Sequence, residues 1–196
     1  MQRFSRETLR THMLRVPIVL AVSCLLSACS AATYQTSQIA VIRSMLTLAG
    51  SHETDPSILD REVLHVDTVA LPPQRAWVEL VRAWSTLRLP VNGADEANYR
   101  IGGSTLPLGP IEGNRPSTWL DCGHGLSDAY ADQYQVTFSM ATRVVPLDSG
   151  STIQSIIRAT AKPRDVSTDS FRCTSLGTLE KRIAEMIRQR TGTTGG

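Results

Sequence analysis

An α+β fold is predicted for this chain of 196 residues, with an antiparallel β-sheet and two amphipathic helices packed on one face. Three features indicate it. A stretch at 73–87 begins with proline and carries apolar residues at helical spacing, and a second such stripe occupies 176–190. Two neighbouring stretches, 134–145 and 152–161, alternate apolar and polar residues as strands do. The order strand, helix, several strands, helix is typical of a sheet with both helices on one side.

The first 28 residues have the organisation of a bacterial lipoprotein signal peptide. Four arginines precede an apolar run, residues 16–26, which is shorter than the ~20 residues that span a bilayer. The run ends in Leu26-Ser27-Ala28-Cys29, a lipobox whose cysteine receives lipid. We therefore expect cleavage before Cys29 and a membrane anchor of more than one acyl chain, because one chain alone binds a membrane only marginally.

The predicted location is the cell envelope, with the domain facing the periplasm. By resemblance to enteric lipoproteins, Ser30 after the lipidated cysteine implies sorting to the outer membrane. Residues 29–60 are predicted to be a tether and a peripheral segment. Within them, the apolar stretch 38–50 could dock on the domain or on a partner, or be an ordinary extra element of the fold. Residues 61–191 are predicted to form a single domain, and 192–196 a flexible tail.

Charge and motifs exclude several classes of function. Residues 1–28 hold four Arg and one Glu, so of 20 basic and 18 acidic residues the remainder keeps 16 and 17, a net charge of −1. A nearly neutral chain without a basic patch is not expected to bind nucleic acid. It contains no Gly-x-Ser-x-Gly, no His-Glu-x-x-His and no phosphate loop. We therefore predict no enzymatic activity, no catalytic residue and no cofactor.

The first half of the domain is predicted to be a strand followed by a helix. Residues 63–70 alternate between two faces, which places His65 at a solvent-side or rim position of the sheet and not in a ligand site. Proline is tolerated in a first helical turn, so the helix is expected to begin near Pro73 and to end before Pro90. We interpret Trp77 and Trp84, and Trp119 farther along, as core residues that could instead line a ligand pocket. The apolar stripe of the helix is Trp77, Leu80, Val81, Trp84 and Leu87.

The second half of the domain is predicted to begin irregularly and to end in a hairpin and a helix. Glycine and proline are frequent in residues 102–116, which predicts a loop or a broken edge strand there. Residues 117–122 are predicted to form a strand. The two alternating stretches are joined by Asp148-Ser149-Gly150, which is typical of a hairpin turn.

Apart from the lipidated Cys29, two cysteines remain after the signal peptide, Cys122 and Cys173, and an exported chain with two such cysteines most simply forms one disulfide. The alternative is a metal site, although a single Cys-x-His without a second spaced pair is a weak motif. A hydrolase using the same loop is a further alternative, but loops rich in Gly and Asp are mostly turns. The candidate side chains in this loop are Asp121, Cys122, His124, Asp128 and Asp132.

Three stretches carry a resemblance to a known family: the lipobox, the Pro72-Pro73-Gln74-Arg75-Ala76-Trp77-Val78-Glu79-Leu80 run that opens the first helix, and Leu179-Glu180-Lys181-Arg182-Ile183 in the last one. With Leu87-Arg88-Leu89-Pro90-Val91 between them, they resemble the NlpB/DapX (BamC-type) outer-membrane lipoproteins. The resemblance implies a helix-grip domain and a role in outer-membrane protein assembly. That family carries two such domains, whereas this chain has room for one.

The leading hypothesis is a membrane-anchored interaction or scaffold module with an envelope protein as partner. The alternative is a carrier of small molecules or lipids. An unfilled pocket between helix and sheet would favour the carrier, and a packed interface would favour the scaffold. The residues that could line such a pocket are Trp77, Trp84, Trp119, Phe138 and Met140.

Overall fold

The computed structural model describes residues 40–50, 63–164 and 170–190 of the chain. These residues form seven strands and four helices, so the α+β class is confirmed. The helices are α1 (residues 40–48), α2 (Pro73–Thr86), α3 (Tyr130–Gln133) and α4 (Thr178–Gln189). The strands are β1 (His65–Val69), β2 (Gly93–Asp95), β3 (Arg100–Thr105), β4 (Leu120–Asp121), β5 (Gln135–Leu147), β6 (Gly150–Lys162) and β7 (Phe171–Ser175).

The predicted signal peptide, the lipobox with Cys29 and the predicted tail 192–196 all lie outside the described residues. From Val41 onward the chain belongs to one compact unit. None of the helices in the described ranges is both long and apolar enough to cross a lipid bilayer.

The sheet is antiparallel throughout and has the order β2-β3-β5-β6-β7-β4. β5 and β6 form the predicted hairpin, with Asp148 and Ser149 in the turn. β1 pairs with the first half of β6, and β7 pairs with its second half. β1 and β7 therefore share one edge of the same long strand.

One face of the sheet packs against α2 and α4. α2 begins at Pro73 and ends at Thr86, as predicted, because Pro72 and Pro73 suit a helix start and the apolar stripe needs a partner surface. α4 likewise buries its predicted stripe. The side chains that fill the space between helices and sheet include Leu80, Trp84, Phe138, Met140, Ile153, Leu179 and Ile183, all at most 2% exposed.

α1 covers the opposite face. Met45 and Ala49 are fully buried, as are Ala141 and Ile156, which lie opposite each other on that face of β5 and β6. A Cβ atom placed on Gly102 would lie 3.0 Å from the backbone nitrogen of Ala49. Residues 41–50 are therefore an extra element of the fold, one of the two alternatives that the sequence left open. The compact unit begins at Val41, earlier than residue 61.

The prediction of a loop or broken edge strand at 102–116 is wrong for its first four residues. Gly102 to Thr105 belong to β3, which lies inside the sheet between β2 and β5. The two glycines permit close backbone approaches: Gly102 faces α1, and Gly103 faces the carbonyl of Pro90, which would clash with any Cβ. The predicted strand at 117–122 is a single turn of 3₁₀ helix, Pro116–Thr118, followed by the two-residue β4.

Candidate functional site

A groove of ≈ 660 Å³ runs between α2 and β2, at the outer edge of the sheet. Seven of its ten lining residues are apolar, and the other three are Ser85, Arg88 and Glu96. The apolar lining residues are Trp77, Val81, Trp84, Leu89, Val91, Ala94 and Ile101.

The two walls of the groove run in opposite directions along the chain. At one end, the ring of Trp77 in α2 lies 6.3 Å from the ring of Tyr99, which follows β2 and the 3₁₀ turn Glu96–Asn98. At the other end, the chain leaves α2 at Arg88 and enters β2 through Pro90. The ring contact and the chain connection therefore define the two ends of the groove.

Arg88 has an unusual backbone conformation just after the C-terminal end of α2. The Leu89 N–H donates to Trp84 and the Arg88 N–H to Ser85, which together form a Schellman motif. The residue at the Arg88 position of this motif is usually glycine, because it takes the left-handed conformation. Arg88 adopts it with φ 52°. A non-glycine residue in this region costs about 1–2 kcal/mol, and such strain is often found where a side chain has a function.

Two charges of opposite sign face the groove from its two ends. Arg88 lies where α2 ends, and Glu96 lies beyond β2 near the start of α2. Neither side chain forms a salt bridge within the described part of the chain. Asp95 has a different role: Arg100 hydrogen-bonds to its carboxylate on the other face of the sheet and holds the pKa of that carboxyl below its ordinary value.

Trp77 and Trp84 serve both the core and the groove. Trp77 is 7% exposed and Trp84 is fully buried, so they are core residues as predicted, and both line the groove. The indole N–H of Trp84 has no hydrogen-bond partner among the described residues. The other three residues proposed as a pocket lining, Trp119, Phe138 and Met140, are buried in the core and do not line this groove. The unfilled volume therefore lies between α2 and the β2 edge of the sheet, beside these three core residues.

Cys122 and Cys173 form the predicted disulfide, with Cα atoms 4.1 Å apart. Cys122 directly follows β4, and Cys173 lies within β7 just before Thr174, the partner of Asp121, so the bond extends that short ladder. Cys122 is therefore not a thiolate ligand, and the metal site proposed around it is not formed. Within the described ranges, no three His, Cys, Asp or Glu side chains are placed to hold a metal ion.

The carboxylates of the neighbouring loop stabilise turns. Asp132 accepts hydrogen bonds from the N–H and hydroxyl of Ser117, at 2.9 and 2.7 Å. Asp121 accepts from the N–H of Gly123 at 2.8 Å, and Asp128 accepts from Gln133 at 3.2 Å. These contacts give each carboxylate a local structural role, as expected of a loop rich in Gly and Asp.

His65 lies half-buried on the helix-facing side of β1. Its Nε2 is 3.7 Å from Asp67, whose carboxylate accepts a 2.7 Å hydrogen bond from Arg188. The start of α4 at Gly177 packs against the imidazole ring. His65 therefore lies at the rim of the sheet in contact with α4, so the rim position is confirmed and the solvent-side alternative is wrong.

The sequence did not single out Arg88, Ala94 or Glu96 as site residues. Ala94 comes from an edge strand of three residues and Glu96 from the 3₁₀ turn that follows it, and only packing places them opposite α2. No family model matches the chain, and no curated protein matches its sequence.

Proposed function

We propose that this chain is a membrane-anchored bacterial lipoprotein of the cell envelope that acts as a non-enzymatic interaction module, with the α2–β2 groove as its binding site. The single observation that supports the binding role is a mainly apolar groove with Arg88 and Glu96 at its ends, neither of which forms a salt bridge with the residues that the structure describes. The anchor is supported by the lipobox at Cys29. The disulfide is of the kind found in exported proteins, since an oxidising compartment maintains it.

The exposed rim of the groove favours a protein partner. Val81 is 37% exposed and Val91 is 58% exposed, on opposite walls. Apolar residues that remain in contact with water at a groove are typical of interaction sites. By the resemblance described above, the partner would belong to the machinery that assembles outer-membrane proteins.

Photo-crosslinking in cells tests the function. A photoreactive amino acid replaces Val91 in the groove, or Val66 on β1 as the control; Val66 is 52% exposed and lies on the other face of the sheet. We expect a discrete adduct from position 91 and none from position 66, confirmed by the reverse crosslink from the partner.

Cys29→Ala should abolish acyl-chain labelling and membrane retention. A mutant that labels like the parent protein rules out the anchor, and the absence of adducts from position 91 rules out the binding role.

A carrier of small molecules or lipids is the second candidate, and the volume of the groove favours it. Ligand pockets typically enclose about 300–1,000 Å³ and bury most of the ligand. The groove has the volume, but its exposed rim would leave a lipid chain in partial contact with water. Displacement of a fluorescent fatty acid from the purified protein separates the two candidates, since only a carrier should bind it with a definite stoichiometry.

A further inference from the structure

The groove lies beside β2, an edge strand of the sheet in the part of the chain that the structure describes. Among the described residues, β2 pairs with β3 on one side and with nothing on the other. An edge strand presents N–H and C=O groups that a further strand can pair with. In β-augmentation, these groups bind the backbone of an extended peptide while neighbouring pockets select its side chains. Here Ala94, in the middle of β2, points into the groove.

The length of the groove suits a short extended peptide. Its helical wall runs from Trp77 to Arg88, eleven steps of ~1.5 Å, or about 16 Å. A peptide of five residues in a β-strand spans about 17 Å. Its central residues would pair with the three residues of β2, and its ends would reach the two charged residues.

The charges assign an acidic end and a basic end to the peptide. A carboxylate at its C-terminal end would pair with Arg88, at the start of the β2 side of the groove. A basic group at its N-terminal end would pair with Glu96, at the far end of that wall. This polarity makes the added strand antiparallel to β2. Between the ends, Val81 and Trp84 on one wall and Ala94 on the other favour small or branched apolar side chains.

An acyl chain matches the groove less well than a peptide. Its carboxylate could pair with Arg88, but it has no cation for Glu96 and no backbone groups for the edge of β2. A peptide supplies all three. We propose that the α2–β2 groove binds an extended, mainly apolar peptide segment of an envelope protein, added antiparallel to β2 with an acidic group at Arg88 and a basic group at Glu96. This inference rests on the proposed function and specifies the chemistry of the partner.

The direct test uses a labelled five-residue peptide, Lys-Val-Thr-Val-Asp, and the full-length chain in phospholipid nanodiscs. Fluorescence anisotropy should show saturable binding, and amide exchange at Ala94 and Asp95 should slow when the peptide is bound. Ala94→Trp fills the groove and should weaken binding at least about tenfold. Val66→Trp, an exposed strand position on the other face, is the matched control and should leave binding unchanged.

Two N-methylated peptides test the strand pairing itself. In an antiparallel pair, alternate residues direct their N–H groups toward the neighbouring strand. One peptide is methylated at two alternate amides, the ones expected to face β2. The other peptide is methylated at the intervening amides, which face away from β2. Strand addition predicts that one peptide loses about tenfold or more in affinity while the other binds nearly as the parent. Equal affinities for both would overturn strand addition.

The charge pattern is tested with the reversed peptide Asp-Val-Thr-Val-Lys, which should bind about tenfold more weakly than the parent. Equal binding of the two peptides would overturn the assigned direction. Stoichiometric binding of laurate with no peptide binding would overturn the peptide proposal in favour of a lipid occupant. Crosslinks from position 91 without peptide binding would contradict this inference alone, whereas the absence of crosslinks would contradict the proposed function.

Discussion

Arg88 adopts a strained backbone conformation at a position where its side chain faces the groove. It occupies the left-handed position of the motif that ends α2, and its side chain lines the groove. Glycine would adopt this backbone without steric strain. The contact with a ligand proposed above would explain the arginine better than the stability of the helix end does.

Replacing Arg88 tests whether its side chain serves ligand binding or the stability of the helix end. Arg88→Gly relieves a strain of about 1–2 kcal/mol but gives the unfolded chain more freedom, so we expect a net gain of about 0.5–1 kcal/mol in the free energy of unfolding. The same variant should weaken binding of the acidic-ended peptide. Arg88→Lys keeps both the charge and the strain and should leave stability nearly unchanged. Denaturant titration of the three proteins gives the comparison, and a destabilised Arg88→Gly variant would show that the arginine side chain serves the fold.

At the scale of elements, the sequence pattern predicted the helices and strands whose formation depends on neighbouring residues. α2 has a proline start and a five-residue apolar stripe, and the hairpin has strict alternation and a turn sequence, so their bounds were close to those observed. The last four residues of β3 were expected in a loop or a broken edge strand, because Gly102 and Gly103 resemble loop residues until the segments that approach them, at Ala49 and Pro90, are known. The groove was missed for a related reason: Trp77 and Trp84 were identified, but the opposite wall depends on the pairing of β2 with β3.

The close approach at Gly103 gives a prediction with an internal control. Gly103→Ala places a methyl group against the backbone of Pro90 and Val91, so the connection between α2 and β2 must shift. We expect a loss of about 1–3 kcal/mol in the free energy of unfolding, typical of overpacking at a site that cannot relax. A Cβ atom on Gly109 would meet nothing within 4 Å, so Gly109→Ala should change stability by less than about 0.5 kcal/mol. Chemical denaturation of both variants decides the matter; equal midpoints would show that the connection moves freely.

The loop before β4 is fastened to α4 by an ion pair that acid should weaken. Arg182 donates two hydrogen bonds of 2.9 Å to Glu112, which hold the pKa of that carboxyl below its ordinary value of 4.5. Because the folded-state pKa is lowered, the pair stabilises the fold above pH ~4.5 and loses this effect as the pH falls through the folded-state pKa. Both side chains are partly exposed, so the effect should stay below about 1 kcal/mol and shrink with salt. Glu112→Gln should reduce the loss of stability between pH 5 and pH 3 (roughly the titration range of a carboxyl group); a pH profile identical to that of the parent would contradict the assignment.

At the scale of the whole molecule, long-range contacts join pieces that are too short to be stable alone. β4 has only two residues, and its partner β7 has five. The N–H of Leu176, just after β7, donates to the carbonyl of Trp119. The hydroxyl of Thr178 donates to the backbone carbonyl of Thr118. The disulfide joins the same two segments, so it fixes the start of α4 against the sheet on which α4 packs.

We therefore predict that the Cys122–Cys173 bond contributes a large share of the stability of the fold. It closes a loop with a sequence separation of 51, for which the chain-entropy model gives about 4 kcal/mol, against a typical total of 5–15 kcal/mol. Reduction, or the double substitution Cys122→Ser and Cys173→Ser, should lower the denaturation midpoint accordingly. In the double variant, amide exchange should accelerate first in β4, β7 and the first turn of α4, because the bond holds these segments together. The α2–β2 groove lies at the other edge of the sheet, so peptide binding should persist at temperatures where the variant remains folded. Peptide mapping of the unreduced protein should recover the linked pair; equal midpoints with and without reductant would show that hydrogen bonds and packing alone hold this edge of the sheet.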